Sequence, residues 1–141
     1  MRFQILSTIL AIASICMAVA VPSPEANLAV RNITQSLNYP LRCNTMNLNL
    51  NDARACRTRI GDLGFNTMCQ VPPISSGNFC QQGGVYVSGR AWGVNPPTEA
   101  HCSVVGDIVS IIINGCGSQG GSLGVFGLDG DVVVHVADHD V

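Results

Sequence analysis

The chain has 141 residues, is 47% apolar and only 11% charged, and carries a formal net charge of −2. All seven of its basic residues are arginine, and lysine is absent. An acidic balance without a basic run excludes nucleic acid as the main partner, and the length suits one domain.

Met1-Arg2 is a short basic start, followed by a largely apolar run from Phe3 to Ile15 and by the small-x-small triplet Ala18-Val19-Ala20. That order predicts a signal peptide over residues 1–20, cleaved after Ala20. The run is too short to span a bilayer and no second one follows, so no stable membrane insertion is expected. Cleavage removes Cys16 and leaves an even set: Cys43, Cys56, Cys69, Cys80, Cys102 and Cys116. Six cysteines in a secreted, extracellular chain predict three disulfides, with fifteen pairings open. A bacterial lipoprotein is the rival reading of Cys16, but Ile15 stands where that pathway needs a small residue.

Residues 21–41 read as a flexible lead-in or pro-segment, with prolines, polar residues and no sustained period. Within it, Leu28-Ala-Val-Arg31 is similar to the sites at which secreted fungal precursors are trimmed. Asn32-Ile33-Thr34 follows as the one complete N-glycosylation sequon, making Asn32 the expected glycan acceptor of a secreted chain.

Residues 42–141 form the expected single cysteine-rich domain. Asn51 or Asp52 can cap a helix ending at Gly61 or Gly64, with Ala53, Cys56, Ile60 and Leu63 drawing one apolar stripe. Arg54, Arg57 and Arg59 lie beside or opposite that stripe, as a recognition patch or as a solvated helix face. A strand is expected over 84–91. A second helix is predicted from Thr98, as N-cap, to Gly115, with Ser103, Asp107, Ser110 and Asn114 forming a thin polar stripe on an otherwise apolar cylinder. Its β-branched run from Val109 to Ile113 favours a strand, but the stripe and the cap favour helix. The stretch 115–121 is glycine-rich, lacks the residues of a phosphate cradle and reads as a linker. The chain closes with strands over 123–128 and 131–136, joined around Asp129-Gly130, the second of them apolar on both faces except at His135 and so expected to be central.

Little in this set supports catalysis. No nucleophile motif is present, and no thiol is spare if all six cysteines pair. His101 sits beside Cys102 and reads as structural. Asp52, Asp62, Asp107, Asp129 and Asp131 supply carboxylates, but no spacing selects an acid–base pair. The tail His135-Val-Ala-Asp138-His139-Asp140 has metal-ligating residue types, yet His135 and Asp138 point to opposite faces of a strand. No metal and no cofactor are therefore expected. Trp92, the single tryptophan, follows Arg90 closely; this pair reads either as a contact surface or, for Trp92, as the plug of a small core.

Three segments carry a likeness to a known family: Ala55-Cys-Arg-Thr-Arg-Ile60, then Phe79-Cys-Gln-Gln-Gly-Gly-Val-Tyr-Val-Ser-Gly89, then Cys102 with its Ile-rich helix to Gly115-Cys116. Their order resembles the smut-virus killer-toxin family and its fungal relatives and, more distantly, cysteine-rich effectors of leaf-mould type. The resemblance covers about 51–136 and implies an α/β sandwich, an antiparallel sheet with two helices packed on one face and pinned by disulfides. It also implies a non-enzymatic toxin or effector. The killer toxins are basic, richer in cysteine and dependent on a lysine, so their channel-directed action and functional residues do not carry over to this chain.

The expectation is therefore an α+β, secreted, disulfide-stapled protein that binds an unknown protein or cell-surface target of a host or competitor. The alternatives are a surface-active or cell-wall structural protein of the secreting organism and, third, a small secreted hydrolase.

Overall fold

The computed structural model describes residues 39–73, 75–92, 97–127 and 131–141. The expected signal peptide, the trimming site at Arg31 and the sequon at Asn32 lie outside them, as does the turn dipeptide Asp129-Gly130. The fold is α+β. Its elements run β1 (Arg42–Cys43), α1 (Leu50–Asp62), β2 (Met68–Val71), β3 (Gly77–Gln82), β4 (Val85–Trp92), β5 (Thr98–His101), α2 (Cys102–Cys116), a short 3-10 turn (Gly117–Gln119), β6 (Gly121–Phe126) and β7 (Asp131–Ala137). A five-stranded antiparallel sheet has the order β1-β6-β7-β4-β3, and β2 pairs with β5 in a separate two-stranded sheet.

Strand β7 is central, as its two-sided apolar character predicts. The period-2 alternation of strands sorts its residues: Val132, Val134 and Val136 face the helices, whereas Asp131, Val133, His135 and Ala137 face the other way. Pairing carries the same division across the sheet, placing Leu123, Val125, Val85 and Val87 on the inner face. Against that face α1 packs Ala53, Cys56 and Ile60, and α2 packs Val105, Ile108, Val109 and Ile112, all nearly or wholly buried. Each such aliphatic side chain contributes roughly 1.5–3 kcal/mol by leaving water. The two helices meet through small residues, since a Cβ on Gly106 would stand 3.0 Å from Gly61.

The first helix is capped two residues before Asn51, the nearer of the two expected caps. Asn49 is the N-cap, its side chain accepting from the Asn51 backbone N–H at 2.9 Å. Gly64, at φ +76°, follows its C-terminus in the left-handed conformation a glycine adopts without penalty.

The second helix requires a larger correction. Thr98 is not its N-cap. Thr98–His101 is β5, paired residue for residue with β2 from Thr98↔Val71 to His101↔Met68. The helix begins only at Cys102, whose N–H donates to the Thr67 carbonyl and whose sulfur is bonded to Cys69. Thr98 and Ala100 point inward and Glu99 and His101 outward, an alternation that belongs to a strand. From Cys102 onward the expected polar stripe is present: Asp107 and Asn114 are exposed, and Ser103 and Ser110 half-buried.

Strand β3 joins β4 through Gly83-Gly84, a two-residue hairpin with Gly83 at φ +54°. A bulge between Asn78 and Cys80 inserts Phe79, whose ring lies beside Gly77 and Gly89. The glycine-rich stretch is more than a linker. Its carbonyls at Ser118, Gln119 and Gly120 accept from Leu48, Met46 and Asn44 and hold the strand-like 44–48 segment in place. The hairpin from β6 to β7 closes its ladder at Phe126↔Asp131, so four residues and not two connect the strands.

All six cysteines pair: Cys43–Cys116, Cys56–Cys80 and Cys69–Cys102, with Cα separations of 5.3, 5.6 and 5.1 Å. They tie β1 to the end of α2, α1 to β3, and β2 to the start of α2. Each helix is thereby fastened to the sheet layer it covers.

Candidate functional site

The inner face of the sheet is consumed by the core, so the chemistry available for contact lies on the outer face. Register sets its rows. One crosses the sheet as Asn78, Ser88, His135, Ser122 and Arg42; the next places Arg90, Val133 and Gly124 side by side; a third aligns Trp92, Asp131 and Phe126.

Arg90 and Trp92 thus share one face of β4 two residues apart, the strand running on to Trp92. The alternative for Trp92, a plug in the core, is overturned: the side chain ends β4 and is 49% exposed. Tyr39 presents its ring edge-on to Trp92, with centroids 5.1 Å apart. Its hydroxyl meets Ser122 Oγ at 3.3 Å, and the Arg42 guanidinium lies 5.0 Å over its ring. Phe126, 54% exposed, extends the same end of the face. Sequence reasoning missed Tyr39, Arg42 and Phe126 because only strand pairing brings these distant positions together.

A groove of about 390 Å³ opens among Tyr39, Arg90, Ala91, Trp92, Val133 and His135. His135 stands on its floor. Burial, with the positive charge of Arg90 nearby, pushes its imidazole down to about 4, so the ring is neutral at neutral pH. A hollow of about 630 Å³ lies over the small sheet, lined by Pro72, Pro73 and Pro97 with Thr98 and Glu99. It is larger, but it lacks the aromatic and arginine side chains that carry contact energy, and its carboxylate Glu99 is already engaged by Gln70 Nε2 at 3.1 Å.

The remaining chemistry-bearing residues are scattered. Arg57 is tied to the second helix, its Nε donating to Ser110 Oγ at 2.8 Å and its guanidinium 3.8 Å from Asp107; Arg59 donates to Gln82. The arginine row of α1 is therefore partly engaged in interhelical and helix–sheet contacts. His101 Nδ1 lies 2.6 Å from the Phe65 carbonyl, and its ring stacks on Phe65 at 3.7 Å, a structural placement. His139 pairs with Asp138 at 2.6 Å on the exposed tail, away from His135. Among the described residues no three His, Cys, Asp or Glu side chains converge as a metal site would need. Asp52 and Asp62 lie on α1, Asp107 on α2 and Asp131 on β7, while Asp129 falls outside the described residues.

No helix among the described residues is long and apolar enough to cross a membrane. Comparison with known proteins found no matching family model, no similar curated protein and no similar solved structure.

Proposed function

We propose that this is a secreted, non-enzymatic, disulfide-stabilised binding protein, effector- or toxin-like, acting on a protein or cell-surface target of a host or competitor. The observation that supports this reading is the cluster of Tyr39, Trp92, Arg90 and Arg42 on one face, with Phe126 beside it. Tryptophan, tyrosine and arginine are the side chains that dominate contact energies, because they bury large areas and hydrogen-bond at little entropic cost. Three disulfides are consistent with an oxidising, extracellular setting, and one of them ties β1, which carries Arg42, to the end of α2.

The test applies the secreted chain to plant tissue and to competing fungi, and enriches partners from both by affinity capture. A response and a captured target that Trp92→Ala and Arg90→Ala each weaken at least tenfold, with the fold unchanged by circular dichroism, support the reading. A folded protein that provokes no response and captures nothing overturns it, and assembly at an air–water interface instead favours the surface-active alternative.

A further inference from the structure

Two polar side chains on the outer face of the large sheet are left without partners. Arg90, exposed on β4, makes no hydrogen bond or ion pair among the described residues, whereas Arg57 and Arg59 are both engaged. His135, half-buried on the neighbouring β7, has no hydrogen bond at either ring nitrogen among the same residues. Both line the groove of about 390 Å³ walled by the rings of Tyr39 and Trp92. Clefts of roughly 300–1,000 Å³ are of a size to take small ligands, and this one lies at the lower end. Asp131, the acid on the same face of β7, is buried and already engaged, and it leaves the Arg90 guanidinium without a counter-charge.

These groups define what the groove can hold. An unpaired guanidinium in a chain of net charge −2 is a local positive site, and its fork of donors matches a carboxylate bidentately. A neutral imidazole presents one donor and one acceptor, the two roles that a hydroxyl group meets. The exposed indole of Trp92 offers a negative π face to the weakly positive C–H groups of a saturated ring. Carboxylate, hydroxyls and an apolar ring face occur together in a uronic acid. An acidic peptide fits less well. Strand β4 pairs with both β3 and β7, and β7 with both β4 and β6, so no open ladder beneath the groove can receive a peptide backbone. A neutral sugar would leave Arg90 without a counter-charge.

We propose that the groove binds a uronic-acid unit of an acidic cell-surface polysaccharide, its carboxylate on Arg90, its ring against Trp92 and a hydroxyl on His135. This names the chemistry of the target and rests on the cell-surface reading above. The geometry also links binding to protons. His135 titrates at about 4 in the free protein, because burial and then Arg90 disfavour the cation. Around it, Arg42 adds to the repulsion, Asp131 opposes it, and the hydroxyls of Tyr39 and Tyr86 stand on the same face. A carboxylate held on Arg90 offsets that charge and favours the imidazolium. Binding therefore takes up a proton and tightens as pH falls from 7 towards 5. A ligand carboxylate titrating at about 3.5 is still ionised there.

The experiment is isothermal titration calorimetry on the oxidised chain over residues 21–141. The probes are oligomers of galacturonic and of mannuronic acid, their methyl esters, and hexaglutamate. Expected is saturable binding of at least one free acid, weaker by about tenfold for its methyl ester and for Arg90→Gln and Trp92→Ala. That binding should be severalfold tighter at pH 5 than at pH 7, and the pH dependence should vanish in His135→Gln with its fold unchanged by circular dichroism. Hexaglutamate bound as tightly overturns the sugar in favour of an acidic peptide. Binding that the methyl ester matches, or that neither Arg90→Gln nor Trp92→Ala weakens, overturns the site. No binding of either acid also overturns it, while a target captured through Trp92 and Arg90 would leave the cell-surface reading standing, so the two fail separately.

Discussion

At the scale of single residues, two positions show how tightly the sheet constrains its chemistry. Gly120 has φ +65°, and a Cβ there would stand 2.4 Å from the Val136 carbonyl oxygen and 2.7 Å from Leu48. Both backbone strain and overlap oppose any side chain, so Gly120→Ala should cost about 2–4 kcal/mol in urea unfolding, against under 1 kcal/mol for an unstrained exposed glycine. His135 makes the complementary point about charge. Its imidazole titrates near 4 in the fold and near 6.5 in the unfolded chain, because burial and then Arg90 disfavour the cation. The unfolded state binds the proton first, so stability is complete above about pH 6.5 and is lost as pH falls towards 4. Arg42 and Asp131 share the outer face, the former adding to the repulsion and the latter opposing it. Since the ring keeps some water contact, the loss is on the order of 1–2 kcal/mol. Denaturant titrations at pH 7 and pH 4.5 should show this decrement in the native chain, smaller in Arg90→Ala and absent in His135→Gln.

Secondary elements differ in how far the sequence reveals them, and the differences have physical causes. Helix α1, strands β4, β6 and β7 and the central place of β7 are legible because their apolar periods are local. Strand β3 carries a weaker signal: Gly83-Gly84 is a hairpin turn in its own right, but the bulge at Phe79 breaks the alternation before it. Strands β1, β2 and β5 are too short to show a period, and β5 was masked by helix signals that Thr98 and Glu99 imitate. The competition was settled by tertiary structure, since the Cys69–Cys102 bridge and the β2 ladder hold Thr98–His101 extended up to the first residue of α2. The contact cluster was half legible: Arg90 and Trp92 are neighbours in sequence, whereas Tyr39, Arg42 and Phe126 join them only through register. If the bridge locks the β5–α2 junction, Cys69→Ala with Cys102→Ala should lower stability by about 2–4 kcal/mol. Amide exchange should then accelerate in 68–71 and 98–101 well before it does in β4 and β7. Uniform acceleration across the whole chain would show that the small sheet has no independent weakness.

For the whole molecule the governing quantity is the balance between a modest core and its three staples. The bridges close loops separated by 73, 24 and 33 residues. Loop-closure entropy assigns each roughly 3–4.5 kcal/mol of unfolded-state destabilisation. Together these are comparable to the entire 5–15 kcal/mol by which a domain of this size is ordinarily stable. The longest loop, from Cys43 to Cys116, spans both helices and four strands, and the other two bridges lie inside it. Reduction should therefore not loosen one end of the protein but collapse the stability of all of it. The native oxidised chain over residues 21–141 should resist alkylation completely and should gain two hydrogens per bridge in intact mass on reduction. After reduction at neutral pH its thermal midpoint should fall by tens of degrees, or the cooperative transition should vanish. Cys43→Ala with Cys116→Ala separates the contributions: if it alone removes most of the midpoint, the long loop dominates as chain entropy requires. A fully reduced chain that melted within a few degrees of the native one would instead assign the stability to the aliphatic core between the sheet and its helices.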